Sequence, residues 1–286
     1  MNVRSEITVK KLAGHSGCDV RILQSALGLF VRKTSRDAIY NTRLQLQCEK
    51  QQNYQSLKLV KTPRVLRAGD ANGLFFFDME YVHGQSLAHY IDNLTTPMLQ
   101  SIVPKVLGLL RDDCVAIDAG VQQRFRQKLN QLSEQVPNDP VIAIAFARLR
   151  AFDWSNYPSG PCHGDLTFEN ILISKTGELV LIDFLDSFHD SWVIDLAKLF
   201  QDLELQWSYR HQARNATRDI RLAVLRENML TALMQRTSGP RVVEAVYHTL
   251  LLNILRIIPY ANQTTRAFLA HGLSEVMMRM ESQKFT

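Results

Sequence analysis

Alternating apolar and polar positions come first in this chain, and helical periodicity follows. Residues 7–9 and 20–23 have the composition of short strands, and Leu27, Leu29 and Val31 alternate with other side chains in a third. Beyond residue 96, apolar and charged residues recur at helical spacing in the runs 121–136, 140–152, 215–235, 241–258 and 264–282. The pattern predicts short strands near the N-terminus and mainly helices after them.

Two further apolar runs, residues 171–173 and 179–182, lie on either side of a polar segment and predict a β-hairpin. The turn is expected at residues 176–177, because glycine accepts the backbone angles of a tight hairpin turn. This register would place Asn170 opposite Asp183. Directly opposed residues have Cβ atoms about 4.5–5.5 Å apart, so both side chains are expected to bind metal beside one nucleotide.

Asp165 precedes this hairpin, in the loop that enters it. A loop on a rigid support is where a catalytic carboxylate is usually found. Metal-assisted phosphoryl transfer needs a carboxylate that orients the attacking hydroxyl, together with oxygen ligands for Mg²⁺. Asp165, Asn170 and Asp183 therefore predict a site of this kind.

This region resembles the aminoglycoside phosphotransferase and choline kinase branch of the protein-kinase-like fold. Residues 163–165 (His-Gly-Asp) stand where protein kinases carry H-R-D, Asn170 matches the catalytic-loop Asn, and residues 183–185 (Asp-Phe-Leu) match D-F-G. The resemblance implies that Asp165 is the catalytic base and that Asn170 and Asp183 are Mg²⁺ ligands. The leucine of the last motif replaces a glycine that small-molecule kinases of this fold commonly lack.

The resemblance implies an α+β, two-lobed fold. A small antiparallel-sheet N-lobe would span residues 1–82 and end in a hinge, and a larger, mainly helical C-lobe would span residues 83–286. The connector from Asp183 to Asp195 is too short for an activation segment, so a peptide substrate is not expected. Asp195 precedes an apolar periodic run and is predicted to be a helix N-cap. In the family, the residue at this position also braces the catalytic loop.

The expected nucleotide contacts begin with Lys33, which lies on the apolar face of the third strand. A buried ammonium needs a charge partner, and the resemblance implies that Glu49 of the following helix pairs with Lys33. The turn between the first two strands contains Gly14, Ser16 and Gly17. Backbone N–H groups in such a turn can face phosphates.

The segment from residue 75 to residue 84 resembles a kinase hinge, since an apolar strand runs into a polar connector and a glycine. The resemblance implies that the adenine edge binds the carbonyl of Glu80 and the N–H of Val82. Met79 would then line the back of the adenine pocket.

The acceptor site is less constrained by the sequence. Asp186 and Asp190 lie in the short connector and are candidate contacts to acceptor or metal. Trp207 and Tyr209 suit stacking on a sugar ring, and Arg210 suits a carboxylate or phosphate. Core aromatics and a solvated basic helix are an equally good explanation of this segment.

Composition narrows the class of protein. The chain has 286 residues, 46% of them hydrophobic and 21% charged, and 33 basic against 28 acidic residues give a net charge of +5. The basic residues are dispersed and no nucleic-acid-binding motif is visible, so nucleic acid is not an expected partner. The apolar stretch 250–258 is too short to span a membrane. No signal peptide and no metal-like cysteine spacing are evident, which favours a cytoplasmic location.

These expectations describe an ATP- and Mg²⁺-dependent enzyme that phosphorylates a hydroxyl of a small molecule. The positive net charge favours a neutral or anionic acceptor, such as a sugar or sugar derivative. An aminoglycoside or choline-type amino-alcohol kinase is the alternative enzyme. A catalytically silent nucleotide-binding module is the alternative from another class, and its arginines at positions 210, 214, 218 and 221 would then bind an acidic partner.

Overall fold

The computed structural model of the protein describes residues 6–12, 17–56, 60–112, 116, 118–236 and 238–282. The chain forms two units. The first comprises Met1–Leu87 and Asn170–Asp186, and the second comprises Ala88–Glu169 and Ser187–Thr286.

Strand alternation builds the first unit. Its larger sheet is antiparallel, in the order β1-β2-β3-β5-β4. The strands are β1 (Ile7–Leu12), β2 (Cys18–Ser25), β3 (Gly28–Ser35), β4 (Val65–Ala71) and β5 (Leu74–Glu80). One face of this sheet packs on helix α1 (Asn41–Ser56) through a buried core that includes Val31, Leu44 and Phe77. The predicted strands of this region are confirmed.

The second sheet of this unit contains the predicted hairpin, but in a different register. Strands β6 (Gly84–Ser86), β7 (Ile171–Ser174) and β8 (Leu179–Leu181) are antiparallel, and Ile171 faces Leu181. Asn170 therefore faces Ile182, whose N–H donates to the Asn170 carbonyl at 3.0 Å. The predicted pairing of Asn170 with Asp183 is wrong by one residue.

The length of the turn explains the error. Ser174 N–H donates to the Glu178 carbonyl at 2.9 Å, so three residues rather than two form the loop. Gly177 has φ of 78°, the left-handed conformation that closes three-residue hairpin loops. Glycine does lie in the hairpin loop, as predicted. It is the last residue of a three-residue loop, however, and not the second residue of a two-residue loop.

The pairing of β6 with β7 also bears on the division of the chain. The sequence placed the boundary between residues 82 and 83, with the hairpin in the helical part. In the structure the first unit runs to Leu87 and includes Asn170–Asp186, because the hairpin extends a sheet that begins with β6.

Helices make up most of the second unit. They are α2 (Leu87–Ile91), α3 (Thr96–Leu107), α4 (Val121–Ser133), α5 (Pro140–Ala151), α6 (Trp192–Leu205), α7 (Ala216–Met234), α8 (Gly239–Ile257) and α9 (Gln263–Ser282). Proline occupies the first turn of α3, α5 and α8, where its missing N–H has no intrahelical partner to lose. The predicted helical runs are confirmed to within a few residues, and the α+β fold class is confirmed with them.

Helix α8 is long and mostly buried. Together with the turn that follows it, the segment Gly239–Tyr260 is long and apolar enough to cross a membrane by composition alone. However, 72% of its most apolar window is buried inside the protein. It is packed against α6, α7 and α9, as expected of a core helix.

Candidate active site

Lys33 and Asp183 come together in the first unit. Lys33 lies on the inner face of β3 and is only 4% exposed, and its Nζ is 2.5 Å from an Asp183 carboxylate oxygen. Burial alone would lower the pKa of Lys33, but the charge and hydrogen bond of Asp183 outweigh it, and the pKa lies above its usual value. The pair is therefore ionic.

The backbone of Asp183 is unusual. Its φ is 63°, a left-handed conformation that few residues other than glycine, asparagine and aspartate accept. The next residue, Phe184, is buried and its ring centroid lies 5.0 Å from that of Tyr54 on α1. The turn at Asp183 thus directs its carboxylate to Lys33 while the following ring anchors the segment to α1.

The predicted pairing of Lys33 with Glu49 is wrong. Glu49 is exposed on α1, because the buried face of that helix runs through Leu44, Cys48 and Gln51. A residue that directly follows Cys48 is rotated about 100° away from this face.

Neutral amides occupy the inner face of α1 instead. Gln47 is buried and donates from Nε2 to the Tyr40 hydroxyl at 3.2 Å. Gln51 is also buried and donates to the carbonyl of Pro63 at 2.7 Å. Helical periodicity could have found both residues, since they lie one turn apart on the apolar face.

The glycine-containing turn is described only in part. Gly14 and Ser16 lie outside the described residues. Gly17 accepts a hydrogen bond from Arg36 N–H at 3.0 Å, and a Cβ at this position would come within 2.4 Å of the Tyr40 ring. Close packing against an aromatic ring therefore accounts for Gly17, and its phosphate role stays a prediction.

The predicted hinge residues follow one another at the end of β5. Met79 is buried in the core of the first unit. Glu80 contacts Arg64 in three ways. Its backbone N–H donates to the Arg64 carbonyl, its carboxylate accepts from the Arg64 N–H at 3.1 Å, and the carboxylate also contacts the guanidinium at 3.0 Å. Val82 lies in the irregular segment before β6, and no hydrogen bond from its backbone N–H occurs among the described residues. Their adenine contacts stay predictions.

The oxygen atoms of Asn170 and Asp183 fit the chemistry of Mg²⁺. No cluster of three or more His, Cys, Asp or Glu residues that could bind a metal occurs in the described part of the chain. Magnesium does not require one, because it usually binds one or two carboxylates together with water and substrate phosphates. The Asp183 side chain is 47% exposed and can therefore reach such a ligand.

Asp165 lies in the second unit, in a loop whose backbone is held by Asp195. The Asp195 carboxylate is fully buried and accepts the N–H groups of His163 at 2.6 Å and Gly164 at 2.7 Å. The expected bracing of the catalytic loop is therefore present. The predicted N-cap role is wrong, because α6 begins earlier and Ser191 caps it by accepting from Val193 N–H.

A second buried carboxylate of α6 holds the same loop. Asp202 accepts the N–H groups of Phe168 at 2.6 Å and Ser208 at 2.7 Å. Burial raises the pKa of Asp202 to about 6 even though these two bonds favour the ionised form. The sequence analysis missed this residue.

Lys198 of α6 was also missed. Its Nζ lies 3.1 Å from an Asp165 carboxylate oxygen, and its side chain is 11% exposed while that of Asp165 is 30% exposed. The available signal was the helical spacing of Asp195, Lys198 and Asp202, which places three ionisable residues on one face of a mostly apolar helix.

The predicted acceptor residues have mixed surroundings. Tyr209 is buried, and its hydroxyl donates to the Ala88 carbonyl at 2.6 Å. The guanidinium of Arg218 covers its ring at 4.1 Å, so the prediction that Tyr209 stacks on a sugar is wrong. Trp207 is partly exposed, and Arg210 lies over its ring at 4.2 Å.

Two acids of the connector are exposed. Asp186 belongs to the first unit and Asp190 to the second. Asp190 accepts a hydrogen bond from the buried Cys162 thiol at 3.2 Å. Their roles toward acceptor or metal stay predictions.

Three of the four arginines considered as a partner surface are engaged within the second unit, and Arg214 is exposed. Arg218 forms a two-point salt bridge with Asp92, with both contacts at 2.7 Å. Arg221 donates to the carbonyls of Asp92 and Leu94. Arg210 donates to the Trp207 carbonyl at 2.7 Å. Of the four, only Arg214 is exposed, so the predicted row of exposed arginines is not present.

Comparison with known proteins identifies the family of the chain. A model described as the phosphotransferase enzyme family (APH) matches residues 26–233 of the chain. This segment contains Lys33, Asp165, Asn170 and Asp183. A search of curated protein sequences gave no match.

Several solved structures share the fold at low identity. A choline/ethanolamine kinase family protein from Mesorhizobium loti is 16% identical, with a TM-score of 0.60 over 96% of this chain and 89% of that one. Choline kinase LicA from Streptococcus pneumoniae is 14% identical, with a TM-score of 0.56 over 96% and 94%. LicA in complex with AMP has a TM-score of 0.51 at 13% identity, over 95% and 93%. An aminoglycoside-3'-phosphotransferase of type VIII is 17% identical, with a TM-score of 0.53 over 88% and 94%.

Proposed function

Because the chain belongs to the phosphotransferase enzyme family, we propose that it transfers the γ-phosphoryl group of ATP to a hydroxyl of a small molecule, with Mg²⁺ as cofactor. The observation that carries this proposal is the ion pair of Lys33 with Asp183 at 2.5 Å. It joins the expected phosphate-binding cation to the expected metal-binding carboxylate. The family match confirms the resemblance found in the sequence.

In the first unit, Lys33 binds the α- and β-phosphates, and Asn170 and Asp183 hold the metal. Bound Mg²⁺ supplies positive charge that neutralises the β- and γ-phosphates. The backbone of Glu80 and Val82 binds the adenine edge. The complex of LicA with AMP shows an adenine nucleotide on this fold, which supports ATP as the donor.

In the second unit, Asp165 orients the acceptor hydroxyl and accepts its proton as the new bond to phosphorus forms. The bond between the γ-phosphorus and the bridging oxygen breaks, and ADP leaves. Two features support this role. The Asp165 side chain is accessible at 30% exposure, and the loop that carries it is tied to α6 through buried hydrogen bonds.

The proposed acceptor is a neutral or anionic hydroxyl compound, such as a sugar or sugar derivative. The net charge of +5 supports this class, and so does the Lys198 ammonium beside Asp165, because a cationic acceptor would be repelled there. Of the two aromatic residues predicted at the acceptor site, Trp207 is the one that is partly exposed and so available to a sugar ring. A cytoplasmic location and the absence of a nucleic-acid partner stay predictions.

The test measures ADP formation from ATP and Mg²⁺ with a panel of sugars, sugar acids, amino alcohols and aminoglycosides. Wild-type protein is compared with Asp165→Asn and with Glu275→Gln, a matched carboxylate-to-amide change at an exposed position of α9. We expect turnover on one acceptor class that falls at least about 10³-fold in Asp165→Asn and is unchanged in Glu275→Gln.

Near-normal turnover in Asp165→Asn would remove Asp165 from the mechanism. If ATP–Mg²⁺ neither turns over nor raises the unfolding temperature of the wild-type protein, the nucleotide site itself is wrong. Selective turnover of aminoglycosides or amino alcohols would keep the chemistry and replace the proposed acceptor class.

A further inference from the structure

One face of helix α6 carries three buried ionisable side chains. Asp195, Lys198 and Asp202 are three and four residues apart, which places them in a row along the helix. Asp195 and Asp202 each accept backbone N–H groups of the loop that carries Asp165. Lys198 differs from both, because it contacts a side chain, that of Asp165.

A lysine at this position needs an explanation. The helix is buried along most of its length, and an apolar side chain of similar size would avoid the desolvation of an ammonium. The loop is already attached through the carboxylates at both ends of the row. The charge of Lys198 is therefore not needed to attach the loop, and its one described salt bridge is to the expected catalytic base.

We propose that Lys198 is a positioning residue for phosphoryl transfer, which rests on the proposed function. Its ammonium holds one carboxylate oxygen of Asp165 and so fixes the direction in which that carboxylate faces the acceptor hydroxyl.

The experiment compares Lys198→Met, which keeps the length of the side chain without the charge, with Lys198→Arg, which keeps the charge. Lys128→Met is the matched control, because Lys128 is a partly buried lysine of a different helix, α4. The probes are ATP–Mg²⁺ with the acceptor found in the panel, and ATP–Mg²⁺ with water as the only acceptor. The readouts are kcat, the KM for ATP and the thermal unfolding midpoint.

We expect Lys198→Met to lower kcat about 30- to 100-fold, with the KM for ATP within twofold of wild type and no loss of thermal stability. For Lys198→Arg, we expect a decrease in log kcat that is at least one third smaller than the decrease for Lys198→Met. In an Asp165→Asn background, Lys198→Met should cause no further loss, because Lys198 acts through Asp165.

Three outcomes overturn the inference. If kcat of Lys198→Met stays within twofold of wild type, the inference fails and the proposed function stands. If activity and the unfolding midpoint fall together in both Lys198 variants, the residue is structural. If wild-type protein releases no ADP with any acceptor or with water, the proposed function fails and this inference fails with it.

Discussion

The candidate residues of the first unit form an ion pair with each other, whereas the loop that carries Asp165 in the second unit is hydrogen-bonded to a helix. In the first unit, Lys33 and Asp183 form a direct ion pair, and the buried polar side chains described on α1 are the neutral Gln47 and Gln51. In the second unit, Asp195 fastens the backbone of the loop and leaves the Asp165 side chain accessible.

The difference separates two ways of building a reactive group. When the reactive residues are also each other's electrostatic partners, a substitution changes stability and chemistry together. When buried carboxylates hold the backbone, the reactive side chain can be replaced without disturbing the fold. The substitutions below test this contrast, from the largest expected effect to the smallest.

Asp195→Ala should cause the largest loss of stability. It leaves the buried N–H groups of His163 and Gly164 without their acceptor, and a hydrogen bond to a charged group contributes about 1.5–3 kcal/mol. We expect the free energy of unfolding in urea to fall by about 3–5 kcal/mol. Asp165→Asn, measured in parallel, should lose less than about 1 kcal/mol, because the amide oxygen of asparagine can still accept a hydrogen bond from Lys198. Equal losses in the two variants would contradict the proposed division of roles.

Asp202→Asn should change the pH dependence of stability. The folded pKa of Asp202 is about 6 and the ordinary value is 3.8, so the folded state binds more protons than the unfolded state between these two values. The wild type therefore gains stability from this group as pH falls from 7 to 4, by about 2–3 kcal/mol.

The Asn variant cannot gain in this way. The relevant quantity is the free energy of unfolding of the variant minus that of the wild type. We expect this difference to be about 2 kcal/mol more positive at pH 7 than at pH 4.5. Urea unfolding at the two pH values gives the difference directly. A difference of the opposite sign would show that the two N–H donors, and not burial, dominate at Asp202.

Asp183→Ala should destabilise the first unit by about 2 kcal/mol. It leaves the Lys33 ammonium buried without its carboxylate, and the effect is at the low end for a broken buried pair because Asp183 is half exposed. Lys33→Met in the same background should restore most of the loss. If the double variant is no more stable than Asp183→Ala, the pair does not behave as a unit.

Gly84→Ala should have the smallest of these effects, about 1–2 kcal/mol. A Cβ at this position would come within 2.3 Å of the Ile173 carbonyl oxygen, across the β6–β7 pairing that holds the hairpin. Gly69→Ala is the control, because its Cβ would make only an ordinary contact of 3.4 Å with Phe76. Thermal unfolding of the two variants should separate them by several degrees, and identical midpoints would mean that the strands tolerate the side chain.

Local signals predicted the elements of the fold well. Alternation found β3 and the inner position of Lys33, and prolines in first turns located the start of α5 and α8. The ordered motifs from residue 163 to residue 185 predicted the family. Each of these features depends on neighbours in the chain, which is why a single sequence was enough.

Predictions failed where one residue of register or rotation decided the contact. Gly177 lengthened the hairpin loop by one residue and moved Asp183 away from its predicted place opposite Asn170. Glu49 follows Cys48 by one residue and therefore lies outside the buried face of α1. Such pairings depend on which face of a strand or helix packs against the core. The hydrophobic pattern of the sequence does not determine the register or the rotation to within one residue.

Lys198 and Asp202 were missed for a different reason. Lys198 and Asp202 act on a loop far from them in the chain, so no local pattern connects the two segments. The sequence shows that these charged residues lie in a mostly apolar helix. Only the structure shows that they contact the loop that carries Asp165.

Helix α8 also constrains how the second unit is made. Its apolar surface is sufficient for a lipid environment by composition, and α9, which packs against it, follows it in the chain. During synthesis the part of this surface that α9 covers therefore remains exposed until α9 leaves the ribosome. Until α9 docks, this exposed apolar surface makes the nascent chain prone to aggregation.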